Sequence, residues 1–117
     1  MAVRLKRAYE LAERSDGYRV LIDRIRPRGV SREQARLDEW ARELAPSTEL
    51  RRWFGHDPVK FAEFSRRYRD ELTARAEKLS ELRGRAHTGT LTLVYSARDT
   101  EHNDAVVLAE LLRGPSP

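Results

Sequence analysis

The sequence predicts a small α/β domain in which helices flank a short, mainly parallel sheet. Two apolar runs, 18–25 and 91–95, have the composition of strands that are buried on both faces. Each run leads into a polar loop and then a helix-start signal, and longer helical patterns lie between them. Because ligands of open α/β sheets bind beyond the carboxyl ends of the strands, parallel pairing of the two runs would open both loops on one edge.

Length and composition narrow the class of protein. The 117 residues suit one domain with one modest core, and we expect a single domain over 1–117. No apolar run approaches the roughly 20 residues of a membrane span, and the first residues alternate instead of forming a signal-peptide core. The chain has no cysteine, which excludes disulfides, thiolate catalysis and cysteine-based zinc sites. We therefore expect a cytoplasmic protein that does not associate with a membrane.

Three strands are expected. The first covers 3–8, and the second, 18–25, follows a turn signal at Asp16-Gly17. The third, 91–95, is the clearest, with the sequence Leu-Thr-Leu-Val-Tyr. We predict that the second and third strands are adjacent and parallel in the centre of the sheet, because strands covered by helices on both sides are apolar throughout.

Capping signals delimit the helices. Ser31 and Gln34 have the spacing of a capping box, and Ser47 followed by Gly55 brackets a helix over 48–54. A longer helix is expected from Asp57-Pro58, with one buried stripe formed by Phe61, Phe64, Tyr68 and Leu72. Two further helices are expected, one that ends near Gly89 and one over 103–113. Residues 37–45 fit either a helix ended by Pro46 or a short strand.

The loop that directly follows the apolar residues Tyr18, Val20, Leu21 and Ile22 has the pattern of an anion site. It reads Asp23-Arg24-Ile25-Arg26-Pro27-Arg28-Gly29 and precedes the start of a helix. Guanidinium groups bind phosphate and carboxylate in a planar, forked geometry, and a helix N-terminus favours negative charge. Residues 1–30 hold eight basic and four acidic residues, whereas the other 87 residues hold 15 of each. The whole net charge of +4 therefore lies in the first quarter of the chain.

The loop after the third strand supplies the rest of the candidate site. Pairing of the strands would bring its side chains to those of Arg24, Arg26 and Arg28, and we predict that Arg98 converges with Arg24 and Arg28. The candidate ligand-binding residues of this second loop are Tyr95, Ser96, Arg98, Asp99 and Asn103. Structural roles stay open: Arg24 and Arg28 could pair with Asp23, Glu33 or Asp99, and Asp99 could cap the last helix.

Two histidines are the candidate acid–base residues. His102 is expected in the first turn of the last helix, where the positive helix pole favours a neutral base, and His56 follows a helix C-terminus, which favours a protonated acid. No metal site is predicted, because His56, His87 and His102 share no ligand spacing. Glycine-rich phosphate loops are absent from the sequence, and Ser96 is not in a nucleophile elbow.

Four segments carry a resemblance to a known family. They are 23–29 (Asp-Arg-Ile-Arg-Pro-Arg-Gly), 44–47 (Leu-Ala-Pro-Ser), 53–58 (Trp-Phe-Gly-His-Asp-Pro) and 95–103 (Tyr-Ser-Ala-Arg-Asp-Thr-Glu-His-Asn). In this order they resemble the DUF488 family, in its short YeaO-like branch. The resemblance implies Rossmann-like layering of the α/β domain and implies no particular activity. The family usually has tryptophan where this chain has Arg26. The arginine makes the loop more cationic, and the chain lacks a ring at this position that could stack on a flat ligand.

The sequence thus favours a domain that binds a phosphorylated or carboxylated small molecule. A nucleotide is one option, and acid–base chemistry by the two histidines stays open. The first alternative is a nucleic-acid-binding module that uses the basic N-terminal quarter. The second is a protein-interaction domain without catalysis. The sequence indicates no cofactor.

Overall fold

A computed structural model describes residues 2–114, in which four parallel strands form one sheet. The strands are β1 (Ala2–Arg7), β2 (Tyr18–Leu21), β3 (Glu39–Trp40) and β4 (Thr90–Tyr95), in the order β1-β4-β2-β3. β4 pairs with β1 along its whole length and with β2 from Leu91 to Val94. The predicted α/β class with a short parallel sheet is confirmed, and so is the parallel pairing of the two apolar strands at the sheet centre.

Five α-helices within residues 2–114 surround the sheet. They are α1 (Arg32–Ala35), α2 (Thr48–Phe54), α3 (Phe61–Leu72), α4 (Ala76–Thr88) and α5 (Asp104–Arg113). The predicted caps of α2 are confirmed: the Ser47 hydroxyl accepts from the Leu50 N–H, and Gly55 adopts a left-handed conformation. None of the helices described for residues 2–114 combines the length and apolar character needed to cross a membrane.

Some predicted boundaries were wrong. β2 ends at Leu21 instead of residue 25, although Ile22 is still buried and donates its N–H to the Val94 carbonyl. The first strand begins and ends one residue earlier than predicted. Residues 37–45, left open between two interpretations, contain β3 and then a 3₁₀ turn over Arg42–Leu44. Another 3₁₀ turn, Pro58–Lys60, precedes α3 and is capped by Asp57.

The main core lies between the sheet and the long helices. Val20, Leu91 and Leu93 are fully buried. The predicted stripe of α3 packs against them: Phe64, Tyr68 and Leu72 are buried, and Phe61 is half-buried at the margin of the core. The Tyr68 hydroxyl donates to the Leu44 carbonyl, which satisfies its polar group inside the core.

A buried ion cluster uses part of the basic N-terminal quarter. The carboxylate of Asp16 lies 2.6 Å from the Arg19 guanidinium and 3.1 Å from the Lys6 ammonium. Burial alone would raise the pKa of Asp16, but the Glu13 N–H and the Lys6 ammonium hold it below its usual value. Arg7 is also engaged, because its guanidinium donates to the carbonyls of residues 96 and 97. Several of the N-terminal bases therefore hold the fold together.

Candidate functional site

A cleft of about 920 Å³ lies where the chain leaves the carboxyl ends of β2 and β4. Most of its walls come from four parts of the chain: the arginine loop (residues 23–28), residues 45–46, the region from the last turn of α2 to His56, and the β4–α5 loop with the start of α5. Tyr9 and Phe64 complete the lining. Phe54 and Phe64 stack with ring centroids 4.2 Å apart and form an apolar part of the lining. The parallel pairing of β2 with β4 is what brings the two polar loops to one edge.

Six arginines line this cleft, and we call them the cleft arginines. They are Arg24, Arg26 and Arg28 of the arginine loop, Arg51 and Arg52 of α2, and Arg98 of the β4–α5 loop. All six are exposed. In the part of the chain that the structure describes, none of them forms an ion pair with a carboxylate. The sequence left open a pairing of Arg24 or Arg28 with Asp23, Glu33 or Asp99, and no such pair forms among these residues.

Two cleft arginines are fixed by contacts other than ion pairs. Arg24 donates to the Pro46 carbonyl at 3.3 Å. The Arg26 guanidinium lies 5.9 Å from the ring centroid of Trp40, whose other cationic neighbour is Arg42 at 3.9 Å. Arg26 also lines a second, smaller cavity of about 270 Å³ that shares Pro27 with the cleft. Arg26 thus places a cation next to the ring of Trp40.

Three aspartates line the cleft, and in two of them, Asp23 and Asp104, the pKa is raised. Burial and the nearby charge of Asp23 raise the pKa of Asp104 to about 7, against the opposing effects of the Ala105 N–H and of Arg51. Burial also raises the pKa of Asp23, while hydrogen bonding from Ser96 and the charge of Arg51 oppose the change. A group that titrates near neutrality in a cleft is a typical mark of a functional site.

The β4–α5 loop differs from the prediction at its helix start. α5 begins at Asp104, and its cap is Asn103, whose side-chain oxygen accepts from the Val106 N–H at 2.9 Å. The prediction that Asp99 caps this helix was wrong. Asp99 instead accepts from the N–H groups of residues 101 and 102, and these bonds lower its pKa. Ser96, Arg98, Asp99 and Asn103 line the cleft, whereas Tyr95 is buried in β4 and does not.

The two candidate acid–base histidines lie in different surroundings. His56 lines the cleft and has a positive φ of 58°, directly after the glycine that ends α2. His102 does not line the cleft. It precedes the cap of α5, so its predicted location in the first helical turn was wrong, and the dipole argument for a neutral base does not apply. Its Nδ1 lies 3.0 Å from Asp99 Oδ2, and its ring packs edge-on against Phe61.

Several lining residues were missed at the sequence level. In the sequence, Arg51 and Arg52 look like ordinary charged surface residues of a helix. Asp104 looks like an ordinary acidic residue at the start of a helix. The one available signal was the position of Asp104 beside the predicted second loop. Across the described range, 2–114, no group of three or more histidine, aspartate or glutamate residues could hold a metal ion.

Comparison with known proteins assigns the chain to a family. The family model described as "Inactive DUF488-N3 subclade" matches residues 2–115. The chain is 45% identical over 113 residues to "Uncharacterized protein YeaO" of Escherichia coli (strain K12), which covers 97% of this chain and 98% of that protein. It is 43% identical over 112 residues to "Uncharacterized protein Rv3073c" of Mycobacterium tuberculosis (strain ATCC 25618 / H37Rv), covering 96% and 94%. No solved structure matches the chain.

The predicted resemblance is therefore confirmed over nearly the whole chain, and the protein belongs to the DUF488 family, within the DUF488-N3 subclade.

Proposed function

We propose that the cleft binds a phosphorylated or carboxylated small molecule. The observation that carries this proposal is the set of six cleft arginines, which come from three segments and have no carboxylate partner among the described residues. Some arginines elsewhere on the surface do have carboxylate partners: Arg66 and Arg67 pair with Glu63, and Arg69 with Glu110. Guanidinium groups stay charged at any ordinary pH, so gathering them in one cleft is unfavourable unless an anion joins them.

The proposal is for binding without turnover. The matching family model carries the word "inactive" in its description. Of the two histidines considered for acid–base chemistry, only His56 lines the cleft. A general acid or base must come within hydrogen-bond reach of the reacting group, and a single exposed histidine beside arginines is a weaker catalytic arrangement than a positioned pair. The cleft is thus better suited to holding an anion than to transforming it.

The nucleic-acid alternative has less support. It depended on the excess of bases in residues 1–30, yet Lys6 and Arg19 pair with Asp16, and Arg7 donates to backbone carbonyls. A surface for a phosphate backbone also needs bases that extend along one face. The cleft arginines are instead grouped around a concave site. This arrangement suits a compact anion better than an extended nucleic-acid strand.

Isothermal titration with inorganic phosphate tests the proposal. Arg28→Ala removes an exposed cleft arginine, and Arg75→Ala, an exposed arginine outside the cleft, is the charge-matched control. We expect Arg28→Ala to weaken phosphate binding about tenfold or more, because a charge-assisted hydrogen bond contributes roughly 1.5–3 kcal/mol. Arg75→Ala should bind phosphate like wild type, and both melting temperatures should change little.

Two results would count against the proposal. If Arg28→Ala lowers the melting temperature and leaves phosphate binding unchanged, the arginine loop serves the fold. If short DNA binds with a steep salt dependence and both arginine variants weaken it equally, dispersed surface charge and not the cleft is responsible, as the nucleic-acid alternative requires.

A further inference from the structure

The cleft also contains acidic side chains, which the binding of a simple anion does not require. Besides the cleft arginines it contains three carboxylates: Asp99, which accepts from the N–H groups of residues 101 and 102, and the pair Asp23 and Asp104. The six arginines are exposed, whereas both aspartates are half-buried, so the carboxylates lie further from solvent than the guanidiniums. A bound molecule would meet cations at the mouth of the cleft and hydrogen-bond acceptors further in.

The two carboxylates have free acceptor capacity. Neither takes part in an ion pair within residues 2–114. One oxygen of Asp104 accepts from the Ala105 N–H at 2.9 Å, and hydrogen bonding from Ser96 reaches Asp23. An ionised carboxylate has about four acceptor sites, so these partners leave most of them open.

The neighbouring charges limit which donor can fill these sites. Arg51 lies close enough to stabilise the charged form of both aspartates. Because six guanidiniums line the cleft against three carboxylates, an ammonium group would enter a region of net positive charge, whereas a neutral hydroxyl group would meet no such repulsion. The aromatic lining of Phe54 and Phe64 can cover the carbon skeleton that carries such hydroxyls. At about 920 Å³ the cleft also far exceeds the size of an isolated phosphate ion.

We propose that the ligand of the cleft is a hydroxylated phosphate ester, with its phosphate on the cleft arginines and its hydroxyl groups donating to Asp23 and Asp104. Sugar phosphates and nucleotides share this chemistry. The inference rests on the proposed function, because the arginines must hold the phosphate before the aspartates can select the rest of the molecule. It adds that the carboxylates, and not the arginines, discriminate between a phosphate ester that carries hydroxyl groups and one that does not.

The experiment compares two esters by isothermal titration at pH 8. Methyl phosphate offers the phosphate without hydroxyl groups, and ribose 5-phosphate offers both. The variants are Asp104→Asn and Asp23→Asn, and Asp70→Asn, an exposed aspartate of α3 outside the cleft, is the matched control. Circular dichroism of each variant checks that it is folded.

We expect wild type and Asp70→Asn to bind ribose 5-phosphate at least tenfold more tightly than methyl phosphate. Asp104→Asn should bind methyl phosphate more tightly than wild type, since a nearby negative charge is removed, while its preference for ribose 5-phosphate falls to about twofold or less. Equal affinity of wild type for the two esters, or an undiminished preference in both cleft variants, would overturn the inference and leave the proposed function intact. Absence of binding of either ester to wild type would overturn the proposed function itself, and the inference with it.

Discussion

Asp104 provides the sharpest test of the electrostatics of the cleft, because its acidity links pH to stability. Its carboxyl has a pKa of about 7 in the folded protein and an ordinary value of 3.8. The folded state therefore holds a proton that the unfolded state releases, and stability is lost as the pH rises from about 4 to 7. At roughly 1.4 kcal/mol per pH unit, ionised Asp104 makes the folded state less stable by up to about 4 kcal/mol at pH 8.

The substitution Asp104→Asn removes this cost and keeps an oxygen that accepts from the Ala105 N–H. Urea unfolding of both proteins between pH 4 and pH 8 measures the effect. We expect the two free energies of unfolding to differ by less than about 1 kcal/mol at pH 4, and the asparagine variant to gain steadily up to about pH 7. Because both proteins share all other titrating groups, the difference between them isolates Asp104 and its coupling to Asp23.

Asp16→Asn serves as a control of opposite sign. The pKa of Asp16 is held below its usual value, so this carboxylate stabilises the fold above pH 4 and the benefit is lost on acidification. Asp16→Asn should accordingly destabilise the protein at pH 7, where it leaves Arg19 without its buried partner. A difference between Asp104→Asn and wild type that does not grow with pH would refute the view that Asp104 is buried beside a second carboxylate.

Three further substitutions test the fold by chemical or thermal unfolding. Phe64→Ala should lower the free energy of unfolding by roughly 3–5 kcal/mol because its ring is buried in the core. Phe61→Ala should lower it less because this ring is half-buried, and equal losses would contradict the burial pattern. Gly17→Ala should destabilise the protein strongly, since the added carbon would lie 2.3 Å from the Thr90 carbonyl oxygen at a φ of +65°, and a wild-type melting temperature would show that the turn rearranges freely. Ser47→Ala should cost roughly 0.5–2 kcal/mol through loss of the α2 cap; no loss would mean that the cap contributes nothing.

The central part of the fold could be predicted because its signals are local. The segments 18–25 and 91–95 are rich in apolar residues, and such a composition is typical of strands covered on both faces. The Ser47 and Gly55 signals bracket α2 for the same reason, since a cap depends on one residue and its nearest backbone. β2 ended earlier than its apolar run because Ile22 packs in the core without continuing the strand. Burial of an apolar residue is favourable whether its backbone belongs to a strand or to a loop, so an apolar run does not determine where the strand ends.

The site could be predicted only in part, because it depends on contacts between distant segments. The two loops that follow the strands were identified from residue type, but Arg51 joins them only through the packing of α2. The raised pKa of Asp104 comes from burial and from the proximity of Asp23, 81 positions earlier in the chain. The interpretation of His102 failed because this residue lies two positions before the first residue of α5, and a dipole effect acts only within the first turn.

The separation of opposite charges within the cleft argues against a purely structural role for it. Arginines and aspartates face the same cavity, and pairing them would relieve both the burial of the carboxylates and the crowding of the guanidiniums. The chain instead holds several of them apart: Arg24 bonds the Pro46 carbonyl, Arg26 lies by Trp40, and Asp104 bonds the Ala105 N–H. Some charges elsewhere in the described residues do pair, as in the Asp16 cluster. Charges that a fold keeps apart at a cost in stability remain available to a ligand, and this is the arrangement expected where binding and not stability determines the residues.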